Sequence, residues 1–173
     1  KDYYGGEIPW LRTQEVDYRE IYETETKITE LGFLNSAATW IPINCVIVAM
    51  YGASAARVAV NKIPLTTNQA CCNLQIDPNQ ANYKYVYYWL ASEYKNLKGL
   101  SEGAQPNLNM QKIKKYHMPL PSMTIQNWVV LLLDQFETLI FNLKTGLPAE
   151  IAARRKQYEY YREKLLTFKE KPA

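Results

Sequence analysis

Few residues in this sequence are of types that perform covalent chemistry, and their spacing limits them further. There is one histidine, His117, and there are three cysteines, Cys45, Cys71 and Cys72. Adjacent cysteines bridge only through a strained ring, and the three lack metal-ligand spacing, so reduced core thiols are expected. No glycine-rich phosphate loop and no Asn/Asp-Pro-Pro-aromatic motif occurs. The nearest approach to a catalytic constellation is Asp17 with Glu25-Thr26-Lys27, where two carboxylates could hold a divalent metal whose bound water attacks a phosphodiester, with the lysine beside the phosphate. The surrounding segment, Glu15 to Glu30, is acidic throughout, so such spacing arises readily by chance. His117, beside Lys114, Lys115 and Tyr116, could touch a phosphate, but a single histidine in a strand entering Pro119 is expected to be structural. No cofactor and no metal is implied.

Binding chemistry is better supplied. The net charge is only +3, but it is unevenly distributed. Leu31 to Ile76 contains no Asp or Glu while carrying Arg57 and Lys62, and Gly103 to Leu133 is again acid-free with Lys112, Lys114 and Lys115. Acids gather at 15–30 and alternate with bases from Glu150 to Glu170. One face can therefore be electropositive without a strongly basic protein, as suits docking on phosphates through positioned contacts.

Elements must position these groups, and 173 residues, 47% of them apolar, suffice for one core and an appendage. No stretch reaches the roughly 18 apolar residues of a membrane span, and the start, Lys1-Asp2-Tyr3-Tyr4-Gly5-Gly6, is not a signal peptide. A cytoplasmic protein without a membrane is expected, with residues missing upstream of this start. Strands are predicted in Cys45–Tyr51, Arg57–Val60 and Ala70–Ile76, separated by Gly52 and a turn at Asn61–Pro64. Tyr83, Val86, Tyr87, Leu90, Tyr94 and Leu97 recur at helical spacing, predicting one helix over 82–97 whose aromatics serve the core rather than a base-stacking platform.

Beyond Pro121 the pattern is helical to the end. Ile125, Trp128, Val129, Leu132, Leu133, Phe136, Leu139, Ile140 and Leu143 form a stripe, widened by Val130, Leu131 and Phe141, which predicts a helix buried on two sides, by the body and by a partner or a second helix. Gly146 is placed to stop it and Pro148 to start a second helix. There Ile151, Arg154, Tyr158, Tyr161, Leu165 and Phe168 step by threes and fours, a coiled-coil seam that needs a partner helix. The domains expected are 1–121, a β-rich body, and 122–173, a helical spacer and dimerisation region. At about 1.5 Å per residue, a spacer from Leu147 to Phe168 measures roughly 33 Å.

Several ordered motifs carry a family resemblance. Tyr3-Tyr4-Gly5-Gly6-Glu7-Ile8-Pro9-Trp10-Leu11-Arg12-Thr13 is similar to the opening loop of type I restriction-modification specificity subunits, as is Ile41-Pro42 leading into Val46 to Gly52. Thr66-Thr67-Asn68-Gln69-Ala70-Cys71-Cys72 and Gly103-Ala104-Gln105-Pro106-Asn107-Leu108-Asn109 match the family's internal signatures. Met118-Pro119-Leu120-Pro121, Gly146-Leu147-Pro148-Ala149-Glu150-Ile151 and Arg154 to Arg162 look like the junction and helical region that follow a recognition domain. The first strand expected before Tyr3 is absent, and one recognition domain and one helical region stand where the full subunit has two of each.

The resemblance implies an α+β fold: a curved mixed β-sheet recognition domain with covering helices, then long coiled-coil-type helices. It implies a DNA-binding, non-catalytic subunit of a methyltransferase/endonuclease complex. Its partners would be double-stranded DNA, a methyltransferase (M) subunit, a restriction (R) subunit and a second copy or second half of the specificity subunit. Base edges are typically read by Arg on guanine and Asn or Gln on adenine, while Lys, Ser, Thr and backbone amides hold phosphates. The candidates are Arg12, Gln14, Arg57, Lys62, Lys112, Lys114 and Lys115, with Ile151, Tyr158, Tyr161, Leu165 and Phe168 for dimerisation. Asn68, Gln69, Gln105 and Asn107 fall in signatures shared by proteins with different targets, so they are read as structural rather than base-reading. A nuclease or methyltransferase fragment and a purely structural dimerisation module are the alternatives.

Overall fold

The computed structural model describes residues 2–100 and 108–166, with the backbone alone at 143–145, 158 and 162–166. In chain order come β1 (Tyr4–Leu11), a 3-10 turn (Thr13–Glu15), β2 (Glu20–Ile21), β3 (Lys27–Ile28), α1 (Glu30–Leu34) and β4 (Thr39–Ile41). They are followed by β5 (Val46–Ala49), β6 (Val58–Asn61), β7 (Leu65–Thr67), β8 (Cys71–Leu74), α2 (Tyr83–Ser92), α3 (Tyr94–Gly99), α4 (Met110–Lys114) and α5 (Met123–Leu166). The chain falls into two compact units, Lys1–Val130 and Leu131–Ala173.

The first unit is built on two four-stranded sheets rather than one, ordered β3-β1-β7-β4 and β2-β6-β5-β8. Both are mixed, because β1 runs parallel to β7 and β2 parallel to β6 while the other pairings are antiparallel. Alternate residues of β5 and β6 point to opposite faces. Val46, Val48, Val58 and Val60 join Val86, Leu90, Leu97 and Ile113 from the helices in one core. Ile47, Ala49 and Ala59 join Leu11, Val16, Ile21, Ile41 and Leu65 in the other. The second sheet is thus covered on both faces, which is why Val46 to Ala49 reads as a continuous apolar run. Gly6 is required where β1 meets β3: a Cβ there would lie 2.4 Å from the Ile28 carbonyl oxygen.

Buried polar side chains tie the ends. Asn61 is fully buried; its Oδ1 accepts from the Cys45 N–H at 2.9 Å, and its Nδ2 donates to the Pro42 and Ile63 carbonyls at 2.7 and 2.8 Å. Gln126, 1% exposed, accepts from the Asn82 N–H at 2.9 Å and donates to the Pro121 carbonyl at 2.8 Å. It pins the first turns of α5 to the N-cap of α2, with Val130 also buried.

Three expectations of local structure need correction. The helix predicted over 82–97 breaks at Glu93, whose backbone N–H turns back to the Trp89 carbonyl. His117 lies exposed in an irregular segment rather than in a strand. Gly146 and Pro148 do not divide the C-terminal helices: α5 runs unbroken for 44 residues with Pro148 inside it. A proline forfeits one hydrogen bond and crowds the carbonyl of the preceding turn, but helix formers flank it and Glu150–Arg154 and Arg155–Glu159 pairs at 3.8 and 3.3 Å follow. One 44-residue helix measures on the order of 66 Å, twice the spacer first expected. The stripe, expected to be covered by the body and by a partner or a second helix, is largely open in the isolated chain: Trp128 is 61% and Phe136 59% exposed.

Candidate nucleic-acid interface

Strand register decides which loops meet. Ala49 lies opposite Cys71, and Val48 opposite Val58, so the loop from Met50 to Arg57 and the turn 68–70 leave the same end of the second sheet. The Asn68 N–H donates to the Leu11 carbonyl at 3.1 Å, bringing Arg12 and the 3-10 turn to that end. The Tyr18 N–H donates to the Val58 carbonyl at 2.8 Å, bringing Asp17 and Tyr18. Thr39 pairs with Thr67, which adds residues 36–38.

This end holds Arg12, Gln14 and Arg57. Glu15, 3% exposed, organises the approach: one carboxylate oxygen accepts from the Arg12 N–H at 3.1 Å and the other from the Glu25 N–H at 2.8 Å. The Arg12 guanidinium pairs with Glu25 at 3.2 Å while its Nε, a buried donor, has no protein acceptor. Arg57 pairs with Asp17 at 2.9 Å. Gln14 is exposed. Both pairs are open to solvent, and such pairs contribute about 0–1 kcal/mol, so a phosphate can take either guanidinium over. Beside Arg57 the Tyr18 ring meets Tyr94 edge-on at 6.2 Å, and Lys98 sits 5.4 Å from the Tyr94 centroid. Burial raises the Tyr18 hydroxyl above its ordinary pKa, with Tyr94 adding and Arg57 opposing.

Lys62 is not brought to this end. It follows β6 at the opposite edge, where its ammonium lies 3.0 Å from Asn44 Oδ1, 2.9 Å from the Tyr83 hydroxyl and 3.3 Å from Glu20. Burial alone would lower its pKa; the Tyr83 hydroxyl and the Glu20 carboxylate outweigh that and hold it above the ordinary value. Lys62 is thereby engaged as an internal tie.

Lys112 and Lys114 belong to α4, and Lys115 is its C-cap. Asn109 caps this helix by accepting from the Lys112 N–H at 2.9 Å, and buried Ile113 anchors it. Lys112 donates to the Leu100 carbonyl at 2.7 Å. Lys114 and Lys115 are exposed. Lys114 is near enough to β8 to oppose the burial that raises the Cys72 thiol.

Asp17, Glu25 and Lys27 do not converge on a common point: they pair with Arg57, Arg12 and Glu7 respectively. Among the described residues no three His, Cys, Asp or Glu side chains are placed to hold a metal. Asn68 Oδ1 accepts from the Cys71 thiol at 3.3 Å. Gln69 is exposed, in contrast, with no hydrogen bond among the described residues. Gln105, Asn107 and Phe168 lie outside the described residues, as do the side chains of Tyr158 and Leu165; Ile151 and Tyr161 are 66% and 51% exposed. Tyr51 and Trp10 lie at the same end as the arginines; Tyr51 closes an apolar strand run, where an aromatic reads as core, and Trp10 falls in the opening motif.

No helix among the described residues is long and apolar enough to cross a membrane. The specificity subunit of type I restriction enzyme EcoR124I/EcoR124II from Escherichia coli is 30% identical over 95% of this chain and 42% of its own length. That of MjaIX from Methanocaldococcus jannaschii is 33% identical over 83% of this chain and 34% of its own length. The chain thus spans about two fifths or less of these relatives. The HsdS subunit of Thermoanaerobacter tengcongensis shares the fold, with a TM-score of 0.62 at 15% identity over 82% of this chain and 33% of that one. A chain solved in work on assembly and conformational transition of the type I R-M system reaches 0.67 at 16% identity, over 90% and 37%. Residues 1–153 match the family described as type I restriction modification DNA specificity domain, and the chain belongs to that family.

Proposed function

We propose that this chain is a DNA-recognition module of a type I specificity subunit, which binds duplex DNA itself and leaves methylation and cleavage to partner subunits. The observation that carries this reading is the loop end of the first unit. Arg12, Gln14 and Arg57, far apart in sequence, lie on loops that leave one edge of two sheets, Arg57 within the carboxylate-free stretch from Leu31 to Ile76. Arg12 and Arg57 are suited to guanine edges or phosphates, and Lys112, Lys114 and Lys115 to phosphates. The body 1–121 would carry recognition and 122–173 the spacer. The partners are an M subunit, an R subunit and a second recognition half. The test is duplex binding across a salt series: Arg57→Ala should weaken affinity and reduce the slope of log affinity against log salt by about one. Salt-independent binding, or none, would sink the reading.

A further inference from the structure

A groove of about 330 Å³ lies at the loop end, lined by Trp10, Ser36, Tyr51, Asn68 and Gln69 among nine residues, none of them charged. It is not an ordinary satisfied turn. The Tyr51 hydroxyl and the Gln69 amide, both on exposed residues, make no hydrogen bond among the described residues. Ser36 is already engaged with the Phe33 carbonyl and the Ala38 N–H, and Asn68 Oδ1 with the Cys71 thiol. The groove thus offers two aromatic faces, the free Tyr51 hydroxyl, the free Gln69 amide and no formal charge.

Its position selects the occupant. The Met50 N–H donates to the Ala70 carbonyl at 2.8 Å and the Ala49 N–H to the Arg57 carbonyl at 3.0 Å, so Tyr51 and Gln69 share the end that carries Arg57. Asn68, bonded to the Leu11 carbonyl, links the same turn to Arg12. A strand whose phosphates reach these guanidinium groups passes the groove, and no carboxylate between Leu31 and Ile76 repels it. Aromatic rings pack on sugars and an amide N–H donates to a phosphate oxygen, contacts that position a duplex without reading it.

We propose that this groove seats the sugar–phosphate of one DNA strand, with Gln69 donating to a phosphate oxygen and Tyr51 packing on the adjacent sugar. The groove is an anchor indifferent to sequence, which leaves readout to the arginine-bearing loops. The inference rests on the DNA-binding reading.

The test uses the protein with its methyltransferase partner and short fluorescent duplexes, one carrying the methylated site and several scrambled. Gln69→Glu, which sets a carboxylate against the phosphate, and Tyr51→Ala should each lower affinity for every duplex alike, Gln69→Glu by about tenfold. The preference for the target should remain, as should the melting temperature. Two variants are used so that a folding defect in one leaves the other decisive. Unchanged affinity in both, with Arg57→Ala still weakened, would overturn the groove alone. A loss confined to duplexes altered at one base pair would overturn its indifference to sequence. Failure of the unaltered complex to bind any duplex would overturn the DNA reading and this inference together.

Discussion

Cys71 sits at the start of β8, 5% exposed, with its S–H donated to Asn68. Burial first, then Glu15 and Cys72, push its pKa from an ordinary 9.0 up to about 12. The folded chain therefore keeps this proton where the unfolded chain loses it, and binds more protons than the unfolded state between those values. Stability due to this thiol is intact below pH 9 and falls as pH rises from 9 towards 12. Alkaline unfolding followed by circular dichroism should thus be less steep in Cys71→Ala. Native protein at neutral pH should leave Cys71 unlabelled by iodoacetamide, since the thiolate is the nucleophile. Asn61 tests the polar ties: Asn61→Ala strands one buried N–H and two carbonyls and should cost roughly 3 kcal/mol in urea unfolding. A loss near zero would show that water replaces the side chain.

At the scale of elements, α5 is the departure from local signals. Its Pro148 lies inside the helix rather than at its first turn, where proline costs about 3 kcal/mol relative to alanine. Pro148→Ala should raise helix content in far-UV circular dichroism and the melting temperature of the spacer. A fall in either would mean that residues around 148 form two helices, as Gly146 and Pro148 alone predict. The sheets depart less. β5, β6 and β8 were legible as apolar runs bounded by Gly52, Asn61 and Ile76. β7 was not, since three residues next to a signature loop carry no period, and the short β2 and β3 lie in an acidic segment that reads as loop.

For the whole molecule, the second unit carries the partner question. Leu131, Phe136, Leu139, Ile140 and Phe141 are all more than half exposed, an apolar strip of the kind that marks a protein interface. We expect purified chain to sediment as a dimer through this strip, and the double variant Phe136→Glu, Leu139→Glu to sediment as a monomer of unchanged fold. Two identical readers joined by a two-fold axis recognise a symmetric, interrupted site. Methylome sequencing of cells expressing the chain with its M subunit should then return an interrupted palindrome, and an asymmetric site would exclude that pairing.

What the sequence determined by itself was the inventory: strands from apolar runs, a long amphipathic terminus from its stripe, and family membership from ordered motifs. Periodicity and turn chemistry are local, so they survive in a linear reading. The tertiary structure decided which charges stand together. Arg57 and Lys62, five residues apart, leave opposite ends of β6, because a strand of four residues carries its two flanks to opposite edges of the sheet. Arg12 and Arg57 meet the same edge because β1 and β7 pair in parallel and β7 turns directly into β8. Whether a cation is free or engaged depends on such pairings: Glu20 and Tyr83 claim Lys62, while only solvent-exposed carboxylates hold the two arginines.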